Sequence, residues 1–311
     1  MTVQVQAPAT VANMVCGFDV LGFCLEAPYD LMTLSVMPGP PGITIRHTDG
    51  HGLPTEPAQN VAGAALLALM EALPDPPSFE LVIDKRIKPG SGVGSSAASA
   101  AGAVVAANHL LGGRFPQEAL VRFAMAGEKV ACGVKHADNI APCIYGGVTL
   151  IRSILPLDIV ALPAPALYAT IVHPQIEVRT SDARQILHQK VFLKDAIRQW
   201  GNIAGLVAGI LKGDARLIGR SLEDVLIEPV RKILIPGFDE VKYRSLEAGA
   251  LGGGISGSGP SIFMLSESEA IASAVAGAMA HTYNRIGIEY HTYIGPIAKD
   301  GVRIVPTHAV L

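Results

Sequence analysis

The chain has 311 residues, 50% hydrophobic and 16% charged, with a net charge of −3. That length carries a sizeable core and allows two domains, and the apolar fraction excludes a disordered chain. The slightly acidic balance gives no electrostatic footprint for nucleic acid or an anionic membrane.

In chain order, apolar patterning predicts strands over residues 3–7, 31–36, 43–47 and 79–84, with helices over 61–73, 97–111 and 116–131. Pro116 suits the first turn of the third helix, and Leu120, Phe123 and Ala124 share one of its faces. A strand over 146–151 leads to the proline-bearing run 155–165, the expected junction between domains 1–155 and 156–311. The second half reads as strand 167–173, helices 181–189, 194–212, 214–221 and 239–248, strand 261–266, helix 267–281 and strand 289–294. Two α+β layers follow from that order. Residues 1–7 lack the basic start and apolar core of a signal peptide. The most membrane-like segment, 97–111, is too short to span and holds Asn108 and His109, so the expectation is a soluble cytoplasmic protein. Cys16, Cys24, Cys132 and Cys143 lack paired metal-ligand spacing and read as free thiols.

One stretch stands out: Pro89-Gly90-Ser91-Gly92-Val93-Gly94-Ser95-Ser96-Ala97-Ala98-Ser99, between a predicted strand and an alanine-rich helix. Alternate glycines reach backbone conformations closed to other residues and let a ligand approach the main chain. Ser95 or Ser96 suits the helix N-cap. The unpaired N–H groups and positive dipole end of the helix then attract phosphate without a basic side chain. For the glycines alone, a tight packing turn is the plain alternative. No lysine follows Gly94, and a dinucleotide fingerprint would need glycine where Ser95 stands, so neither common nucleotide motif is matched.

The run resembles the second motif of the GHMP kinases, the small-molecule kinases named for galactose, homoserine, mevalonate and phosphomevalonate. The resemblance implies that residues 89–99 wrap the ATP phosphates and that Ser96 helps hold magnesium. It also implies an N-terminal domain like ribosomal protein S5 domain 2, with a left-handed βαβ crossover against the general rule. A ferredoxin-like C-terminal domain would complete the fold, with the active site between the two. The second glycine cluster, Gly252-Gly253-Gly254-Ile255-Ser256-Gly257-Ser258-Gly259-Pro260, has dinucleotide spacing at Gly252, Gly254 and Gly257, but a helix precedes it and a strand follows. It resembles the third GHMP motif, a loop backing onto the phosphate site, and this places Gly257 at the nucleotide.

Four further patches resemble the homoserine-specific members of the family. In Pro8-Ala9-Thr10-Val11-Ala12-Asn13-Met14-Val15-Cys16-Gly17-Phe18-Asp19, Asn13 and Asp19 are the implied acceptor-pocket residues, and Val15 stands where the family usually has glycine. In the run from Glu128 to Pro142, the resemblance implies Glu128 with Ser96 as magnesium ligands, Asn139 at the hydroxyl that receives phosphate, and His136 orienting the substrate. Many relatives have an aspartate base at the Asn139 position. Asparagine cannot accept a proton, so catalysis here would rest on alignment and charge neutralisation, with neighbouring Asp138 as the alternative carboxylate. Thr180, Arg184 and Arg231 lie in two segments whose arginines would grip a substrate carboxylate, a task suited to the planar guanidinium. Asn60, Val61 and Lys85 would lie around adenine and ribose; a helix cap and a strand-end lysine explain them equally well.

Asp19 for an ammonium, Arg184 and Arg231 for a carboxylate and Asn139 for a hydroxyl match the three handles of L-homoserine. The resemblance therefore implies ATP- and magnesium-dependent phosphorylation of that hydroxyl, a step toward threonine, and leaves a homodimer open. Another small-molecule GHMP kinase, or a silent ligand-binding member, are the competing readings.

Overall fold

The computed structural model describes residues 1–133 and 136–306, the side chain of Cys132 excepted. Val134 and Lys135, within the patch that begins at Glu128, therefore lie outside the described residues, as does the Cys132 thiol. The chain opens on two long antiparallel strands, β1 (Thr2–Ala12) and β2 (Leu21–Met37), which cross the molecule. Both run well past the predicted 3–7 and 31–36, because their inner residues are apolar in unbroken stretches and not in the alternation of a half-exposed strand. Next come β3 (Gly42–His47), α1 (Val61–Met70) and β4 (Ser78–Asp84); β3 and β4 pair in parallel, as a βαβ unit requires. Asn60 caps α1, its Oδ1 accepting the Ala62 and Gly63 N–H groups at 2.9 and 3.2 Å.

Helices α2 (Ser95–Leu110), α3 (Gln117–Cys132) and α4 (Ile140–Tyr145) follow, then the hairpin β5 (Val148–Ile154) and β6 (Leu157–Leu162). α2 is alanine-rich because it is buried on nearly every side, where small residues let its neighbours approach. The first sheet has the order β11-β1-β2-β4-β3, with β5 and β6 attached along the first residues of β2. A division at 155/156 would cut the β5–β6 hairpin. The sheet in fact extends to Leu162, and the chain returns to it through β11 (Arg303–Val305), paired with β1.

The second unit holds β7 (Tyr168–Pro174), α5 (Thr180–Gln185), α6 (Leu193–Lys212), α7 (Ala215–Ser221), α8 (Glu228–Arg231), α9 (Phe238–Glu247), β8 (Gly252–Ile255), β9 (Ile262–Ser266), α10 (Glu269–Ile286) and β10 (Tyr290–Pro296). Its sheet, β10-β7-β9-β8, has the ferredoxin-like order with helices between first and second and between third and fourth strands. Both faces are covered. Along β9, Ile262 and Met264 face α9 and α10, while Phe263 and Leu265 join the core of the first unit. Phe263 meets Phe23 of β2 edge to face, ring centroids 5.5 Å apart. The two units thus share one continuous core. Among the described residues, Cys16, Cys24 and Cys143 are buried free thiols, and no helix is long and apolar enough to cross a membrane.

Two helical glycines separate propensity from packing. A Cβ at Gly127 of α3 would strike the Val61 carbonyl oxygen of α1 and lie 3.1 Å from Ala100 Cβ of α2, whereas one at Gly277 of α10 would meet nothing within 4 Å. Alanine favours a helix interior over glycine by about 1 kcal/mol, but overpacking costs about 1–3 kcal/mol. In urea unfolding, Gly277→Ala is therefore expected to stabilise by ~0.5–1 kcal/mol and Gly127→Ala to destabilise by about 1–2 kcal/mol.

Candidate active site

A cavity of about 400 Å³ lies where the two units meet, walled by the phosphate-type loop, the start of α2, the end of β1, and α5 and α8. Gly90, Gly92 and Gly94 take φ of +75°, +81° and +69°. At Gly92 a Cβ would come within 2.5 Å of the Gly259 carbonyl oxygen, so the glycine serves packing as well as conformation. Three successive carbonyls of the loop are tied from outside. Ser91 O accepts Ser261 Oγ at 2.6 Å, Gly92 O accepts Ser256 Oγ at 2.7 Å, and Val93 O accepts the Thr10 N–H at 3.1 Å. With its acceptors thus spent, the loop offers donors to a ligand.

The α2 N-cap is Gly94, without a side-chain cap, and not a serine as expected. Ser95 instead donates to Ile87 O at 2.8 Å, and Ser96 donates to Glu128 Oε2 at 3.0 Å. The first N–H groups of α2 are therefore left for an anion. Ser96 and Glu128 form a hydroxyl and carboxylate pair at the cavity wall, the hard oxygen donors magnesium takes. Among the described residues there is no cluster of three or more His, Cys, Asp or Glu that could hold a metal; a magnesium nucleotide site needs no such cluster, since phosphates and water complete its shell.

In the same cavity lining, Arg184 grips Asp19 bidentately, Nη2–Oδ1 2.6 Å and Nη1–Oδ2 3.2 Å. Arg184 and Arg231 both lie over the Phe18 ring, 5.4 and 4.8 Å from its centroid. Arg231 is buried and donates to Ala183 O and Gly257 O; burial lowers it to about 10, so it stays charged at neutral pH. His136 lies with Nδ1 3.8 Å from Asp19 Oδ1, and burial lowers its pKa against the pull of Asp19. Its Nε2 is buried without a partner, an atom that a bound polar group would satisfy. Asn13 spends its amide on the scaffold, accepting the Asp19 N–H at 3.1 Å and donating to Gly257 O at 2.8 Å.

The turn that presents Asp19 is strained. Asn13, Met14 and Val15 have φ of +75°, +41° and +67°, and Asp19 +61°. Val15 keeps the left-handed backbone that glycine would supply, at a cost of about 1–2 kcal/mol, and is buried in the core. Asn139 accepts Thr10 Oγ1 at 2.9 Å on its Oδ1, which leaves its amide N–H₂ as donor.

The structure gathers Asn13, Asp19, Val61, Lys85, Ser96, Glu128, His136, Asn139, Thr180, Arg184, Arg231 and Gly257 on this one wall, with Pro89, Gly90, Gly92, Gly94, Ser95 and Ser99. Asn60, Ser91, Val93, Ala97 and Ala98 are off it. Asn60 caps α1 and donates to Pro54 O, the two alanines and Val93 pack in the core, and Ser91 is buried under the loop. Lys85 lines the cavity, yet its ammonium is bonded to Asp30, Ser95 and Ser99. Sequence reasoning gave no role to Leu53 or Val178, which line the site together with Phe18 and Ser258. Phe18 was legible as the middle of Gly-Phe-Asp; Leu53 comes from a loop with no pattern.

The family is shown by comparison with known proteins. Residues 60–147 match the model for the GHMP kinases N terminal domain and residues 206–285 that for GHMP kinases C terminal. The chain belongs to the GHMP kinase family. A relative named homoserine kinase, from Chloroherpeton thalassium, is 46% identical over 96% of this chain and 98% of its own. Another of that name, from Chlorobium phaeobacteroides, is 44% identical over 98% and 99%. The crystal structure of homoserine kinase from Cytophaga hutchinsonii superposes with a TM-score of 0.94 at 47% identity, covering 98% of this chain and 97% of that one. Membership of a kinase family implies use of ATP.

Asp138, buried on the cavity wall, has its carboxyl pushed up to about 7, first by burial and then by the charges of Asp19 and Glu128. The unfolded carboxyl titrates near 3.8, so between about pH 4 and 7 the folded state holds the extra proton and stability falls as pH rises. Asp138→Asn is expected to abolish that fall and to gain a few kcal/mol relative to the parent above pH 7. Urea unfolding at pH 5 and pH 8 measures the difference.

Proposed function

We propose that this protein transfers the γ-phosphoryl group of ATP to the side-chain hydroxyl of L-homoserine, giving O-phospho-L-homoserine and ADP, with magnesium. The observation that carries the reading is the Asp19–Arg184 pair beside Arg231, in the same cavity as the phosphate loop. Asp19 and Arg184 satisfy one another as the two ends of an amino acid would. A zwitterion entering between them takes the Asp19 carboxylate with its ammonium and the guanidinium of Arg184 with its carboxylate, so neither protein charge loses its partner. Arg231 adds a second, buried cation, and the partnerless His136 Nε2 a further polar contact. The names of the full-length relatives support the same substrate.

Asn139 stands beside the phosphate loop, where a Cβ at Gly94 would lie 3.0 Å from its Oδ1. Its amide N–H₂ is suited to donate to the homoserine hydroxyl oxygen and hold it in line with the phosphorus. The bond from phosphorus to the bridging oxygen of ADP breaks as the bond to the homoserine oxygen forms. In a loose transition state the bond to the entering oxygen is hardly formed, so the hydroxyl need not be deprotonated beforehand and positioning suffices, and the hydroxyl proton passes late to the transferred group. Ser96 and Glu128 would hold magnesium, which when bound neutralises the β- and γ-phosphate oxygens. Asp138 carries a second reading, as the base, because its burial places its pKa near the working pH.

ADP release coupled to a reporter, with homoserine, mevalonate and galactose as acceptors, tests the proposal: turnover is expected with homoserine alone, and none with homoserine would refute it. Glu128→Ala is expected to cut kcat by at least about a hundredfold. Arg184→Ala is expected to raise the homoserine KM by about a hundredfold, the worth of a charged, bidentate contact, with the ATP KM unchanged. Asp138→Asn distinguishes the two proton routes. Positioning predicts a loss below about tenfold, whereas a base predicts about 10²–10⁴-fold.

A further inference from the structure

The Lys85 ammonium has three protons and three internal acceptors: Asp30 Oδ2, Ser95 O at 2.6 Å and Ser99 Oγ at 2.9 Å. It keeps none for a nucleotide. The other oxygen of Asp30 accepts the Arg86 and Ile87 N–H groups, both at 2.9 Å, at the exit of β4. Ser95 Oγ then returns to Ile87 O at 2.8 Å. These contacts close residues 85–95 at their base, and the glycine arch that offers its N–H groups to phosphate spans the closed ends. The loop's glycines are conformationally free in themselves, so a fixed span is what keeps its donors convergent. Asp30 is fully buried and Lys85 nearly so, which makes the contacts stiff and hard to exchange for water.

We propose that Lys85 is a positioning residue for phosphate binding: through Asp30, Ser95 and Ser99 it sets the span of the phosphate loop from beneath, without touching the nucleotide. The proposal rests on the cavity being a nucleotide site but not on homoserine as acceptor. Its test is therefore a binding measurement. Removing Lys85 alone would strand the Asp30 charge and endanger folding, so the variant is the double replacement Asp30→Asn with Lys85→Met, its fold checked by circular dichroism. Titration calorimetry with ADP and with adenosine, each with magnesium present, reads the effect. ADP affinity is expected to fall about tenfold or more while adenosine affinity stays within about twofold, because only the phosphates use the loop. An equal loss for adenosine would mean that Lys85 serves the nucleoside directly, and no loss for ADP would mean that the loop holds its span unaided; either overturns the proposal. Should the double variant fail to fold, Ser99→Ala removes one of the three acceptors. It is expected to weaken ADP by about threefold and spare adenosine, and unchanged ADP binding would again overturn it. If parent protein bound neither ligand, the nucleotide-site reading itself would fall, and the proposal with it.

Discussion

The site depends on a loop whose carbonyls are already taken. Ser91, Gly92 and Val93 give their oxygens to Ser261, Ser256 and Thr10, which belong to the second sheet's glycine loop and to β1. A peptide unit held by its oxygen presents its N–H the other way, so the loop and the uncapped start of α2 become a donor surface without any cationic side chain. Because two of the three ties come from residues 256 and 261, the second unit contributes directly to the shape of the loop. The shared core between Phe23 and Phe263 holds the two units together.

The acceptor end is arranged on similar lines, with local strain held by surrounding contacts. The Asn13–Val15 run sits in left-handed conformations that its side chains disfavour, and the Asn13 amide joins Asp19 N–H to Gly257 O across the two units. The same Gly257 carbonyl accepts Arg231. One carbonyl of the C-terminal glycine loop therefore ties the positions of Asp19, through Asn13, and of Arg231 together, while its neighbours anchor the residue 89–94 loop. A single short segment, 256–261, thus links the 89–94 glycine loop to the Asp19 and Arg231 cluster.

Much of this could be read from the residues. The glycine run before an alanine-rich helix is a local signal, and its position between β4 and α2 is what the pattern predicts. The strands 261–266 and 167–173 and the helix at 239–248 follow from periodicity and recur within a residue or two. Periodicity does not find β8, made of Gly252, Gly253, Gly254 and Ile255, because those glycines are a strand only through close approach to β9: a Cβ at Gly253 would strike the Phe263 carbonyl. Nor does it find β6 or β11, short edge strands placed in the first sheet by tertiary pairing. Within the site, motifs locate Asp19, Asn139 and the arginines. They do not reveal that Lys85 faces inward, since a lysine at a strand end reads as a surface charge until Asp30, 55 residues earlier, is placed against it.

The central claim is that the cavity selects a zwitterionic hydroxy amino acid by opening the Asp19–Arg184 pair. It is tested most directly by removing one handle of the acceptor at a time and comparing kcat/KM for homoserine, for γ-hydroxybutyrate, which lacks the ammonium, and for aminopropanol, which lacks the carboxylate. Each truncated acceptor leaves one charge of the Asp19–Arg184 pair without its partner, so both are expected to fall by about a hundredfold or more. Turnover of either at a rate close to that of homoserine would contradict the account.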